Sequence, residues 1–161
     1  MASYIYENVD AGGLITMANN VKSGLDTHAS ELGKLAEKAS DDVWMGKSKN
    51  AFVELLPKFT TASGNIKSRL DKLVNTLNDI SKVQGYYDQI HSYEGLKNNI
   101  TEELAQSWGM SLEEAQAPYI QMINGADRLA TNLEAKIEKE GSQIWVSMYL
   151  IIIELQLLNQ M

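Results

Sequence analysis

Cysteine is absent from this sequence of 161 residues. Its absence removes disulfides, thiolate metal sites and a cysteine nucleophile together, so redox chemistry gives no reading of compartment. Cations are in deficit, with 14 Lys and Arg against 21 Asp and Glu and a formal charge of -7. Affinity for nucleic acid depends on clustered cations that neutralise phosphates, so no nucleic-acid partner is expected. The opening stretch MASYIYENVDAGG lacks a basic region followed by an uninterrupted apolar run, and it does not read as a cleaved signal peptide. The most apolar segment, IWVSMYLIIIELQLLNQM, has Ser147, Glu154 and Gln156 as its only polar residues between Ile144 and Leu158. It still falls short of the roughly 20 apolar residues that cross a membrane, so no transmembrane span is expected.

Groups that carry chemistry are also sparse. Asp88 and His91, in DQIH, have the i, i+3 geometry of half a di-iron site in a helical bundle, and the other half is missing. His28 has no carboxylate three residues before it and falls on a helical apolar stripe, the place of a polar seam residue. The adjacent pairs Glu102 with Glu103 and Glu113 with Glu114 point in different directions on a helix, unlike a paired general acid and base. DAGG precedes a helix but lacks the preceding strand and the Lys-Ser/Thr end of a phosphate loop. The chain reads as a protein that is not an enzyme, with no cofactor and no metal.

What is plentiful is helical period. With 44% hydrophobic residues the chain can supply the core of one domain or of one elongated bundle. Leu14, Met17, Val21, Leu25, Leu32, Leu35 and Ala39 step by threes and fours with His28 in the gap, one face of a helix that Asp10 can cap. This stripe is narrow and polar-flanked, as in a coiled-coil seam, and it needs a partner helix. A second stripe follows at Phe52, Leu55, Phe59, Ala62, Ile66, Leu70, Leu73, Leu77 and Ile80. Pro57 falls inside it, where the lost backbone bond predicts a bend. The connection is short, so the two helices are expected antiparallel, stripe against stripe.

The reversal lies in DDVWMGKSKNAF, residues 41 to 52. A hairpin of long helices leaves a wedge at its closed end. Trp44, ahead of the turn, can fill it, while Gly46 permits positive φ or close backbone approach. A Trp-x-Gly at such a reversal resembles the WXG family of small helical proteins exported by type VII secretion systems. The matching residues are Trp44, Met45 and Gly46, then KSKNAF, where the family has small and polar residues followed by alanine and an aromatic. The resemblance covers residues 10 to about 90. It implies an acidic, cysteine-free protein, secreted without a cleaved signal peptide, that forms a homodimer, or a heterodimer with another small helical protein. The resulting four-helix bundle serves the secretion machinery as substrate, carrier or adaptor. The family's Tyr-x-x-x-Asp or Tyr-x-x-x-Glu export signal has no match after the second helix, and only Tyr6 to Asp10 fits, ahead of the first. A partner chain that supplies the signal is the corresponding expectation.

The second half repeats the helical pattern. Ser111 and Glu114 form a capping box ahead of Leu112, Ala115, Tyr119, Met122, Ala126, Leu129 and Leu133. Between the halves, Val83, Tyr87, Ile90, Tyr93, Ile100 and Leu104 make a looser row interrupted by Gly85 and Gly95, and helix two either continues or breaks there. A shift of 64 residues sets Trp44 on Trp108, Ala51 on Ala115 and Ala62 on Ala126, a faint tandem that would complete a bundle within the chain. The tail reads as a buried helix, a stripe that docks a partner, or an end whose continuation is missing. Its isoleucine run also suits a strand, but a buried or partner-covered helix has the greater weight. Candidate partner-binding positions are Ile144, Trp145, Met148, Ile151, Ile152 and Leu155.

The expected fold is therefore all-α. A long antiparallel hairpin with a Trp-x-Gly turn occupies residues 10–90, and residues 96–161 extend it with further helices into a bundle. The expected function is partner binding within a type VII-like secretion system. The alternatives are a structural or adaptor bundle without export, located in the cytoplasm, and the targeting module of a longer toxin.

Overall fold

A computed structural model describes residues 6–40 and 45–160. These residues are all-α, with α1 at Ala11–Ser40, α2 at Lys47–Asn98, α3 at Glu102–Ser107 and α4 at Leu112–Gln160. No strand occurs among the described residues, and the isoleucine run is helical. α2 continues through Gly85 and Gly95 without a break. Pro57 lies early in α2 and Pro118 early in α4, and the helical assignment passes through both.

The chain divides into two compact units. One contains Gly12–Thr76 together with the end of α4 from Gly141 onward; the other contains the segment up to Ala11 together with Leu77–Glu140.

In the first unit, α1 pairs with the early part of α2. Lys22 pairs with Asp71, and Lys67 pairs with Asp26. Both pairs are centred on the same point of the sequence, between Gly46 and Lys47, which is the condition for two helices folded back antiparallel about that point. The seam on α1 is formed by Ile15, Ala18, Lys22, Leu25, Leu32, Ala36 and Ala39, of which Ala18 and Ala39 are fully buried. The stripe expected from the large residues is displaced: Leu14, Met17, Val21 and Leu35 are exposed, each one position before a seam residue. One position is about 100° around a helix, so counting large side chains rotated the face. The actual seam is rich in alanine, and small side chains at a contact let helix axes approach closely.

On α2 the covered row runs Phe52, Leu56, Phe59, Ser63, Ile66, Leu70 and Leu73, alternating steps of four and three. It keeps most of the expected stripe but takes Leu56 in place of Leu55, which is exposed, and buries Ser63 next to the half-buried Ala62.

The second unit holds most of the buried large side chains. Leu77, Ile80, Val83, Tyr87 and Ile90 form the α2 side, and Ala115, Ala126, Ala130 and Ile137 the α4 side. Tyr87 and Val83 are the largest fully buried residues. Ile100, Ala105 and Ala115 cluster at the closed end, with Leu112 and Tyr119 packed on them. Met122 and Leu129, expected on the apolar face of α4, are exposed; the face keeps Ala126 as expected but takes the half-buried Ile123 and the buried Ala130, each one position later.

Here too the helices are antiparallel. Lys136 reaches Asp79 at 2.7 Å, and Gln116 donates to the carbonyls of Lys97 at 3.2 Å and Ile100 at 3.3 Å. These pairings centre on Ser107 and Trp108, at the end of α3. Thr101 caps that short helix by accepting from the Leu104 N–H. Gly109, at φ +72°, terminates it, with its own N–H on Gln106 O and the Met110 N–H on Ala105 O. Those two bonds are a Schellman ending. The Ser111–Glu114 capping box forms as expected: the Glu114 carboxylate accepts from the Ser111 N–H at 2.9 Å, and the Glu114 N–H donates to Ser111 Oγ at 3.2 Å. This pair holds the Glu114 carboxyl below its ordinary value.

Candidate functional site

Of the two turn residues, Gly46 is described and Trp44 lies outside the described residues. Gly46 has φ +106°, and a Cβ placed on it would meet nothing within 4 Å. Of the two reasons for a glycine here, the backbone conformation is therefore the one that applies, and close approach is not. Its carbonyl accepts from Asn50 N at 3.2 Å, the first bond of α2. Gly46 thus reverses the chain and starts the next helix. Met45 beside it is strongly exposed. At the second reversal Gly109 also has a positive φ but ends a helix rather than starting one, and Trp108 before it is exposed.

The tail is helical to Gln160. Ile152 is exposed, and the side chains of Ile144, Trp145, Met148, Ile151 and Leu155 lie outside the described set. Val146, Tyr149, Leu150 and Leu157, which the sequence reading did not single out, are exposed around them. The run is apolar on every side, so composition alone does not say which face is covered.

The strap before α1 has its own set of contacts in the second unit. Gln84 donates its amide to the carbonyls of both Tyr6 and Val9, each at 2.7 Å. His91 lies 4.0 Å from Glu7 and 3.8 Å from Glu94, at exposed positions where such pairs contribute little. The Tyr6 hydroxyl is pushed above its ordinary value, first by burial and then by the carboxylates of Glu134 and Glu138. The Tyr6 to Asp10 spacing therefore belongs to a segment fixed against α2 through its backbone.

Asp79 is the buried charged residue of this unit. Its carboxylate accepts from Lys136 at 2.7 Å and lies 3.5 Å from Lys82. The bond to Asp79 holds the Lys136 ammonium above its usual range, with Asp79's charge and that of Glu140 acting the same way. Nothing in the sequence marks Asp79 apart from other helical acids.

Asp88 is exposed, and among the described residues no three His, Asp or Glu side chains converge as a metal site. His28, expected in the seam, is exposed beside Glu31 at 3.6 Å. The seam skips this turn, passing from Leu25 to Leu32 with both His28 and Ala29 exposed. An open groove of about 370 Å³ beside α2 is lined by Pro57, Lys58, Thr61, Ala62 and Asn65, a set with one cation and no acid–base pair. No helix among the described residues is long and apolar enough to cross a membrane.

No protein-family model matches this chain, and neither a curated protein nor a solved structure gives a significant match.

Proposed function

We propose that this chain is a non-enzymatic helical protein of a type VII-like secretion system, acting as substrate, carrier or adaptor through helix-bundle binding of another helical chain. The observation that carries this reading is the reversal itself. Trp44-x-Gly46 is the motif, Gly46 has a positive φ, and the two ion pairs between α1 and α2 centre next to Gly46. A Trp-x-Gly elsewhere in a helical protein would have no such meaning.

A second observation supports the mode of action. Among the described residues of the first unit, Ile66 is the one large hydrophobic side chain that is fully buried, while Leu14, Met17, Val21, Leu35 and Val53 are exposed. A hairpin with this much uncovered apolar surface is suited to receiving further helices.

The test is export. The tagged chain is produced in a bacterium that has a type VII system and in the same strain lacking the secretion ATPase. The expected result is ATPase-dependent appearance in the medium, reduced by Gly46→Val. Retention in the cell in both strains, together with co-purification lacking any secretion component, would overturn the assignment.

A further inference from the structure

The second reversal exposes more apolar surface than its turn requires. The needs of the turn are met by Gly109, by the Thr101 cap and by the Ser111–Glu114 box. A Schellman ending also favours a hydrophobic residue two places past the cap, and a helix start favours one just before its own cap; Met110 occupies both places. It is nevertheless 49% exposed. Trp108 stands at the cap itself, where no aromatic is needed, and is 53% exposed. Leu104, one turn before Trp108 and on the same side of α3, is 38% exposed.

The charge around these three side chains has one sign. Between Lys97 and Arg128 the sequence has no Lys, Arg or His. Glu102 and Glu103 stand to one side of the apolar residues in the chain, Glu113 and Glu114 to the other, and all four are exposed. An apolar patch bordered on both sides by carboxylates is complementary to an apolar stripe flanked on both sides by cations, which is the surface of a basic amphipathic helix. Nucleic acid and anionic lipid share the sign of the border and are repelled. A second copy of the chain brings the same acidic end and a net charge of -7.

We propose that the closed end of the second unit, at Leu104, Trp108 and Met110, docks a basic amphipathic helix of another protein. The apolar stripe of that helix covers the three side chains, and its flanking Lys or Arg residues meet the glutamates. Trp108 is the anchor, a large ring presented on a turn already closed by backbone bonds, with a face that also attracts a cation. Met110 adapts its flexible chain to the partner's side chains. The charged border is exposed, so added salt screens it and weakens the contact. The surface lies outside residues 10–90 and is separate from the Trp-x-Gly hairpin, so it goes beyond the secretion reading and does not depend on it.

The probe is a dye-labelled synthetic amphipathic helix of leucine and lysine, compared with its counterpart carrying glutamate in place of lysine. Fluorescence anisotropy on the full chain should show binding of the lysine peptide, weakened by salt, and none of the glutamate peptide. Trp108→Ala should weaken the lysine peptide about tenfold or more, the loss expected of an interface anchor. Glu103→Gln with Glu113→Gln should weaken it several-fold. The same change of net charge made in the first unit, Glu31→Gln with Glu54→Gln, should leave the affinity within twofold. Circular dichroism checks each variant, and if Trp108→Ala alters the fold, the two glutamate pairs decide. Equal effects of the two pairs would mean attraction to the charge of the whole molecule, and an unchanged affinity in folded Trp108→Ala would place the peptide elsewhere; either overturns the proposal. Binding of the glutamate peptide, or of phosphatidylserine vesicles, in a manner lost with Trp108 would name a different occupant and overturns it likewise.

Discussion

Asp79 and Lys136, 57 residues apart in sequence, meet at 2.7 Å with the carboxylate almost wholly withdrawn from water and the ammonium at its edge. A buried carboxylate is tolerated only while its partners are present. Lys136→Met should therefore lower the urea midpoint more than Lys82→Met, whose ammonium lies farther off at 3.5 Å. The double change Asp79→Leu with Lys136→Met should recover most of the loss, because an apolar pair needs no compensation. Equal effects of the two lysine changes would show that Asp79 does not depend on Lys136.

Alkali should loosen the second unit through two groups. Tyr6 and Lys136 both have their values raised from ordinary ones of 10.0 and 10.5, Tyr6 first by burial and Lys136 first by its bond to Asp79. Each holds its proton more tightly in the folded chain than in the unfolded one. Their contribution is complete below about pH 10 and is lost as pH rises through the raised folded values. Tyrosinate absorbance should show a late-titrating component that Tyr6→Phe removes. The same substitution should flatten the fall of the urea midpoint above pH 10.

Gln84 should control the strap. Replacing it with leucine keeps the bulk and removes both bonds to Tyr6 and Val9, a local loss of about 1–3 kcal/mol at 0.5–1.5 per bond. Hydrogen exchange is the appropriate measurement. The amides of Val9 and Ala11 should exchange faster, while that of Gly109, closing α3, stays unchanged. Unchanged exchange at Val9 would mean that the strap is held by its side chains alone.

Gly46→Val should cost about 1–3 kcal/mol, the range for an unsuitable residue forced into a sparsely populated backbone region. There is no clash to add to this, since the space around the glycine is open. Gly46→Asn should cost less, because asparagine enters positive φ more readily. Thermal midpoints ordered Gly, Asn, Val check this, and a Val variant as stable as the native chain would contradict the assigned backbone conformation.

The helices were readable because period and caps are local. Ser111 and Glu114 declare the start of α4 within four residues, and Gly46 the reversal within one. The contact faces were less readable, because alanines carry as much of the seam as leucines do and a hydrophobicity count ranks them last. Leu14 and Ile15 are both apolar, and only the partner helix decides which is covered. α3 had an available signal, Thr101 at its start and Gly109 past its end, that the looser apolar row concealed. Asp79 with Lys136 and Gln84 with Tyr6 had none, since their meaning comes from residues 57 and 78 positions away.

The interleaving of segments between the two units also governs the order in which the chain can be completed on the ribosome. The strap precedes Gln84 and cannot be fastened until Gln84 has emerged, and the α1–α2 hairpin cannot receive its third helical segment until the stretch after Glu140 has emerged. From the emergence of Thr76 until that of the stretch after Glu140, then, the hairpin is present without that cover. Whatever helical chain or chaperone meets it in that interval competes with the protein's own segment from Gly141 onward, and a cell that slows translation before Gly141 lengthens the competitor's opportunity.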